Sequence, residues 1–153
     1  MSTENQNYQG TCYCGAVEVS VIGEPSASAI CHCHSCRKWH AAPLNAWSIW
    51  PSAQVTISGG AVITSSADEA SGRVSCATCG GCLVNHKPKV GMTVVYPMTL
   101  VGSGLKFVPA YHIYYAERVM DIADGLPKFA DMPEAFRGSG ERVDEPGKTG
   151  WCG

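Results

Sequence analysis

Alternation is the most regular pattern along this chain. Residues 15–22 (Gly-Ala-Val-Glu-Val-Ser-Val-Ile) set apolar and polar side chains in turn, which predicts a half-buried β-strand. The stretches 44–50, 53–58, 61–65, 92–96 and 107–115 are short, rich in Val, Ile, Trp or Tyr, and bounded by Gly, Pro or Ser. They predict strands as well. Helical signal is sparse. A short helix is expected within 32–40 and a helical turn near Pro133–Phe136, where proline suits a first helical position. From Arg137 onward Gly, Ser, Glu, Lys and Pro predominate. The reading is therefore one mainly β domain, 1–136, followed by a polar Gly-rich tail, 137–153.

Composition narrows the function classes. A chain of 153 residues, 45% hydrophobic, is long enough to bury a core. With a net charge of -2 and 13 acidic against 11 basic residues, it is neither a disordered chain nor a binder that holds nucleic acid by bulk positive charge. No apolar run approaches the ~18 residues that span a bilayer. The polar start through Asn7 lacks the pattern of a secretory leader. A soluble cytoplasmic domain is expected, with neither membrane nor nucleic acid as partner.

Cysteine changes the picture most. There are nine, and eight fall in three short groups: Cys12 and Cys14; Cys31, Cys33 and Cys36; Cys76, Cys79 and Cys82. In a reducing compartment such clusters point to metal or redox chemistry. On an extended strand, Cys12 and Cys14 share a face, and Gly15 lets backbone amides turn toward their sulfurs. Cys76-Ala77-Thr78-Cys79-Gly80 has the C-x-x-C-G form of a zinc knuckle, and with Cys12 and Cys14 it makes a closed four-thiolate set of the structural type. The middle group offers three thiolates and leaves a fourth position open, as in a catalytic zinc site. His32 and His34 alternate with these cysteines and should point away from them. Disulfides, a C-x-x-C redox pair and an iron–sulfur cluster are the alternatives. Zinc suits the knuckle glycines and closed spacing better.

The stretches Gly10-Thr11-Cys12-Tyr13-Cys14-Gly15-Ala16-Val17, Cys31-His32-Cys33-His34-Ser35-Cys36-Arg37-Lys38 and Cys76-Ala77-Thr78-Cys79-Gly80 resemble the glutathione-dependent formaldehyde-activating enzyme family, also called the CENP-V/GFA domain family. Weaker similarity continues through Pro109–Ile113 and Asp124–Pro127, so the resemblance covers about residues 8–136. It implies an Mss4-like fold of several short antiparallel sheets around two zinc ions, with little helix. It also implies a structural zinc on Cys12, Cys14, Cys76 and Cys79 and a catalytic zinc on Cys31, Cys33 and Cys36. The implied activity is that of a carbon–sulfur lyase, with S-(hydroxymethyl)glutathione in equilibrium with glutathione and formaldehyde. A small thiol such as glutathione, or its aldehyde adduct, is then the partner. The chain departs from the family in two places. Ala41 stands where glycine usually follows the Arg-Lys stretch, and Cys82 is an extra thiol beside the knuckle.

Other residues carry two readings each. Arg37 and Lys38 are either a solvated basic pair or the cations that offset a thiolate-rich metal and hold substrate carboxylates. Trp39, Trp47 and Trp50 suit a β core better than a substrate cleft. His112 is either a structural histidine or a proton-transfer group beside the metal. Cys82 is expected outside the structural set, and Cys152 reads as a lone exposed thiol. The competitor to the enzyme is a non-catalytic zinc-binding interaction module. Such a module needs only the closed set, so the open three-thiolate group separates the two readings.

Overall fold

The structure is a computed structural model and describes residues 6–60, 62–68, 71–144 and 150–151. It is mainly β, with one α-helix among the described residues and several 3₁₀ turns. The chain forms two compact units, one of residues 1–27 and 47–107, the other of residues 28–46 and 108–153.

In the first unit, β1 (Asn7–Thr11), β2 (Glu18–Ile22) and β5 (Val55–Ser58) form an antiparallel sheet in that order. Alternation in β2 buries Val19 and Val21 completely while Glu18 and Ile22 face outward. A second antiparallel ladder runs β4 (Asn45–Pro51), β9 (Met92–Val95), β8 (Cys82–Lys87), β7 (Ser71–Cys76) and β6 (Val62–Asp68). The core between these strands gathers Tyr8, Val17, Val19, Val21, Trp50, Val74, Leu83, Val84, Val95 and Leu100, with Cys12 and Cys76 among them. Trp50 is fully buried and donates its indole N–H to the Gly23 carbonyl at 2.9 Å. Trp47 is buried as well; Trp39, in the second unit, is half-buried with its ring edge-on to His40.

In the second unit, β3 (Ala27–Cys31) pairs in parallel with the short β10 (His112–Ile113). β11 (Met120–Asp121) pairs with β12 (Gly150–Trp151). The helix α1 (His34–His40) follows β3 after a two-residue step. Its first turn is capped by the Cys33 sulfur, which accepts the Cys36 N–H, and Arg37, Lys38 and His40 lie in its last turn, where cations suit the helix dipole. The buried positions here include polar groups: His32, His112 and Lys128 are enclosed beside Ala29, Cys31, Ile113 and Tyr115.

Three expectations need correction. The strand expected over 15–22 begins at Glu18, because residues 12–17 form a turn closed by Cys12 N–H to the Val17 carbonyl and Gly15 N–H to the Cys12 carbonyl. Cys12 and Cys14 therefore do not lie on an extended strand. The strand expected over 107–115 contracts to His112–Ile113, since Pro109 has no N–H to give and Tyr114 adopts a left-handed backbone at φ 53°. Near Pro133, a 3₁₀ turn spans Glu134–Phe136, with the proline one position before it.

Of the segment beyond Arg137, residues 139–143 are tied down. Ser139 donates to Asp131 from both backbone and hydroxyl, and the Glu141 carbonyl and Val143 N–H bond to Ala130 and Lys128. Cys152 lies outside the described residues.

Candidate metal centres

The first centre lies within the first unit. Two turns build it. Gly15, at φ 82°, lets the chain reverse after Cys14, and the Val17 N–H then points at the Cys12 sulfur at 3.3 Å. Gly80, at φ 74°, does the same after Cys79, and the Gly81 N–H donates to the Cys79 sulfur at 3.4 Å. The four sulfurs of Cys12, Cys14, Cys76 and Cys79 lie within 4.8 Å of one another. Cys12 and Cys14 are 3.6 Å apart, and Cys14 and Cys76 3.8 Å. A tetrahedral ion held at about 2.3 Å from each sulfur requires sulfur–sulfur edges of about 3.8 Å. None of these thiols is in a disulfide.

Electrostatics agree with that geometry. Although burial opposes it, the Val17 amide and the neighbouring Cys76, Cys14 and Cys79 thiols bring Cys12 down to about 6. Cys14 moves the other way. The Ala16 amide favours its thiolate, yet desolvation and the three neighbouring sulfurs push it up to about 11. Four thiolates this close need a cation among them, and these residues fit zinc.

The second centre lies within the second unit. Cys31 ends β3, Cys33 caps α1 and Cys36 sits in its first turn, so strand, step and helix converge three sulfurs within 4.8 Å. Backbone amides point at two of them: Cys33 N–H at the Cys31 sulfur (3.5 Å) and Cys36 N–H at the Cys33 sulfur (3.2 Å). The Cys33 and Cys36 thiols beside it, together with burial, drive Cys31 far above the ordinary thiol range. No His, Asp or Glu among the described residues joins as a fourth ligand. Three soft donors with one position left over fit an open zinc site.

His32 turns away from these sulfurs. It is fully buried, and its Nε2 meets His112 Nδ1 at 2.8 Å, while His112 Nε2 meets the Asp124 carboxylate at 2.7 Å. The Tyr115 ring stands edge-on to both imidazoles, at 4.9 and 5.7 Å between centroids. Burial, and then the nearby His112, Arg118, Lys128 and Arg37, bring His32 down to about 4. Burial works against ionisation of Asp124, but the hydrogen bonds from Lys128 and His112 overcome it and hold the carboxyl down at about 2.

His34 begins the helix with its side chain exposed, its N–H donating to Glu117 at 2.6 Å. Arg37 is half-buried and donates Nε–H to the His32 carbonyl at 3.0 Å, whereas Lys38 is exposed. Together with His34, Ala41 and Pro43 they line a hollow on this unit. Cys82 opens β8, outside the four-thiol group. Burial raises its thiol, with Arg73 opposing. Asp124 and Lys128 are the residues that the sequence reading missed. Their signal was faint: an acidic residue opening Asp124-Gly125-Leu126-Pro127, with no local pattern tying it to a histidine.

The sequence profile described as "Glutathione-dependent formaldehyde-activating enzyme" matches residues 7–117. A protein of Schizosaccharomyces pombe named as an uncharacterized lyase is 35% identical over 75 residues, which is 48% of this chain and 53% of that one. The chain thus spans about half the length of that curated relative. A crystal structure of a Rhodobacter sphaeroides protein shares the fold at 22% identity, with a TM-score of 0.52, covering 61% of this chain and 88% of the other.

Proposed function

The chain belongs to the glutathione-dependent formaldehyde-activating enzyme family, and we propose that it is a zinc-dependent carbon–sulfur lyase acting on the thiol adduct of a small aldehyde, of the S-(hydroxymethyl)glutathione type. The observation that carries this reading is the group of three sulfurs, Cys31, Cys33 and Cys36, with no fourth ligand among the described residues. A purely structural ion gains nothing from an open position, whereas a sulfur or oxygen ligand needs one.

Cys12, Cys14, Cys76 and Cys79 would hold one zinc as a structural clamp, and Cys31, Cys33 and Cys36 the second. When bound at the three-thiol site, zinc supplies Lewis acidity and makes a thiol available as thiolate at neutral pH. The chain's own residues do the rest. The amides of Cys33 and Cys36 offset negative charge on the sulfurs they face. Arg37 and Lys38, in the hollow beside His34 and Ala41, suit the carboxylates of a peptide thiol, with Arg37 the better bidentate partner. The reading also puts the protein in a reducing compartment such as the cytoplasm, where its thiols remain available to metal.

The test has two parts. Native mass spectrometry should find two zinc ions per chain. With ¹³C-formaldehyde and glutathione, the zinc-loaded protein should accelerate exchange between free and adduct formaldehyde, and chelation should abolish the effect. A protein with both ions bound and no acceleration would instead be a zinc-binding interaction module.

A further inference from the structure

The backbone that carries the three thiols is tied from behind. Its N–H groups go to two kinds of acceptor. Cys33 N–H faces the Cys31 sulfur at 3.5 Å, and Cys36 N–H faces the Cys33 sulfur at 3.2 Å. The N–H groups of His32 and His34 go instead to residues 113–117. His32 donates to the Ile113 carbonyl at 3.1 Å, and His34 to a carboxylate oxygen of Glu117 at 2.6 Å. The first N–H groups of a helix have no carbonyl within it to accept them. α1 also lacks an acidic residue in its own first turn, so the acceptor for His34 arrives from eighty-three residues away.

The 3₁₀ turn Tyr115–Glu117 delivers that carboxylate. Ile113 pairs with Cys31 across β10 and β3, which sets the approach to the turn beside the first thiol. Tyr114 then takes φ 53° and ψ 37°, a left-handed backbone that disfavours any residue with a Cβ and persists where its surroundings hold it. The surroundings do so. The N–H groups of Tyr114, Tyr115 and Ala116 bond to the carbonyls of Asp131, Phe129 and Ala130 at 2.7, 2.9 and 3.2 Å, and Glu117 N–H closes on the Tyr114 carbonyl at 3.0 Å. Tyr115 is fully buried as well. The turn is therefore anchored on residues 129–131, independently of the thiols, and the thiol segment leans on it.

We propose that Glu117 is a positioning residue for the three-thiol site: by holding the His34 N–H, it fixes the backbone from Cys31 to Cys36 in the conformation that brings the three sulfurs together. The gain is preorganisation. Three sulfurs within 4.8 Å of one another repel once they are ionised, and a free segment would spread them. A backbone held beforehand does not have to be ordered when the ion binds. Water takes the His34 N–H when Glu117 is gone, yet it ties the segment to nothing. The inference rests on the metal reading of these thiols and is independent of the lyase reaction.

Two substitutions in the full chain test it. Glu117 is exposed, so replacing it leaves the buried positions of the unit intact. The carbonyl of Glu117→Gln can accept the same N–H without the charge, whereas Glu117→Ala removes both. In zinc competition against a chelator, Glu117→Ala should weaken the three-thiol centre about 5–10-fold, with Glu117→Gln within about twofold of wild type. The four-thiol centre should keep its affinity in both variants. An equal loss in the two variants would assign the effect to charge, and a loss shared by both centres would assign it to general stability. Either result overturns the proposal, as does an unchanged affinity in Glu117→Ala.

Amide hydrogen exchange in the zinc-loaded chain reads the backbone itself. The Cys33 and Cys36 amides should exchange about 5–10-fold faster in Glu117→Ala than in wild type or Glu117→Gln, while Tyr115 and Ala116 keep their rates. Unchanged rates at Cys33 and Cys36 overturn the proposal. If the wild type binds a single zinc ion, the metal reading of these thiols falls, and the exchange rates then decide whether Glu117 holds the segment.

Discussion

Cys14 and Cys76, sixty-two residues apart in sequence, bring their sulfurs to 3.8 Å. That single distance joins the turn after β1 to the end of β7. Cys76 is 1% exposed and belongs to the apolar core, so the site is continuous with the packing of its unit. Replacing Cys76 by Ser removes a ligand from a closed set whose ion contributes on the order of 10 kcal/mol to folding. We expect the variant to lose that metal and the cooperative melt of its unit. Circular dichroism and metal analysis check this, and a folded Cys76→Ser protein that keeps two ions would refute it.

Cys33 serves two purposes, and two substitutions separate them. Its sulfur belongs to the three-thiol group and also accepts the Cys36 N–H as the cap of α1. Serine preserves the cap, whereas alanine abolishes it at about 1 kcal/mol. Both variants should lose the second metal and stay folded. The melting temperature of Cys33→Ala should fall below that of Cys33→Ser. Equal melting temperatures would show that the cap contributes nothing.

The cysteine groups could be read from the sequence because ligand spacing is local: each set of two or three thiols is written within seven residues. The two sets into which the sulfurs gather, four and three, are those the spacing suggested. The local backbone was less legible. Cys12-Tyr13-Cys14 reads as alternation, yet the Val17 amide and carbonyl fold it into a turn. β8 escaped notice because Leu83, Val84 and Asn85 are all buried, so no alternation marks it. β1, β3 and β7 were missed as well. The row from Asp124 through His112 to His32 was beyond reach, since 80 residues separate the two histidines and a buried hydrogen bond leaves no periodic trace.

Tyr8 should limit stability on the alkaline side. Its phenol donates to Glu24, and this bond, followed by burial, raises its ionisation above the ordinary value of 10.0. An unfolded tyrosine loses its proton near pH 10 while the folded one keeps it. The stabilisation is thus fully present below pH 10 and is lost as pH rises through the folded value. Tyr111 and Tyr114, raised by burial, act in the same direction. Tyr8→Phe should cost about 1 kcal/mol at pH 8, and the deficit should shrink above pH 10. Parallel pH profiles from urea titrations of the two proteins would refute the assignment.

Ala41 gives a physical meaning to one departure from the family pattern. It sits immediately after α1 at φ 50° and ψ 41°, with its N–H on the Arg37 carbonyl, and the Ala42 N–H reaches the same oxygen at 3.2 Å. This is the left-handed position that ends many helices, and glycine takes it without the ~1–2 kcal/mol penalty of a Cβ. Glycine also makes the unfolded chain more flexible, which returns roughly 0.5–1 kcal/mol of that gain. Ala41→Gly should therefore stabilise the protein by about 0.5 kcal/mol, a rise of roughly 1–2 °C in Tm for a chain of this size. The same change removes a methyl from the hollow lined by His34, Arg37 and Lys38. On the lyase reading it should lower KM for the adduct about twofold and leave kcat unchanged. Thermal melts of the zinc-loaded proteins and steady-state kinetics decide between the two effects. A lower Tm would mean that the methyl contributes more by packing than it costs in strain, and an unchanged KM would place the substrate elsewhere than this hollow.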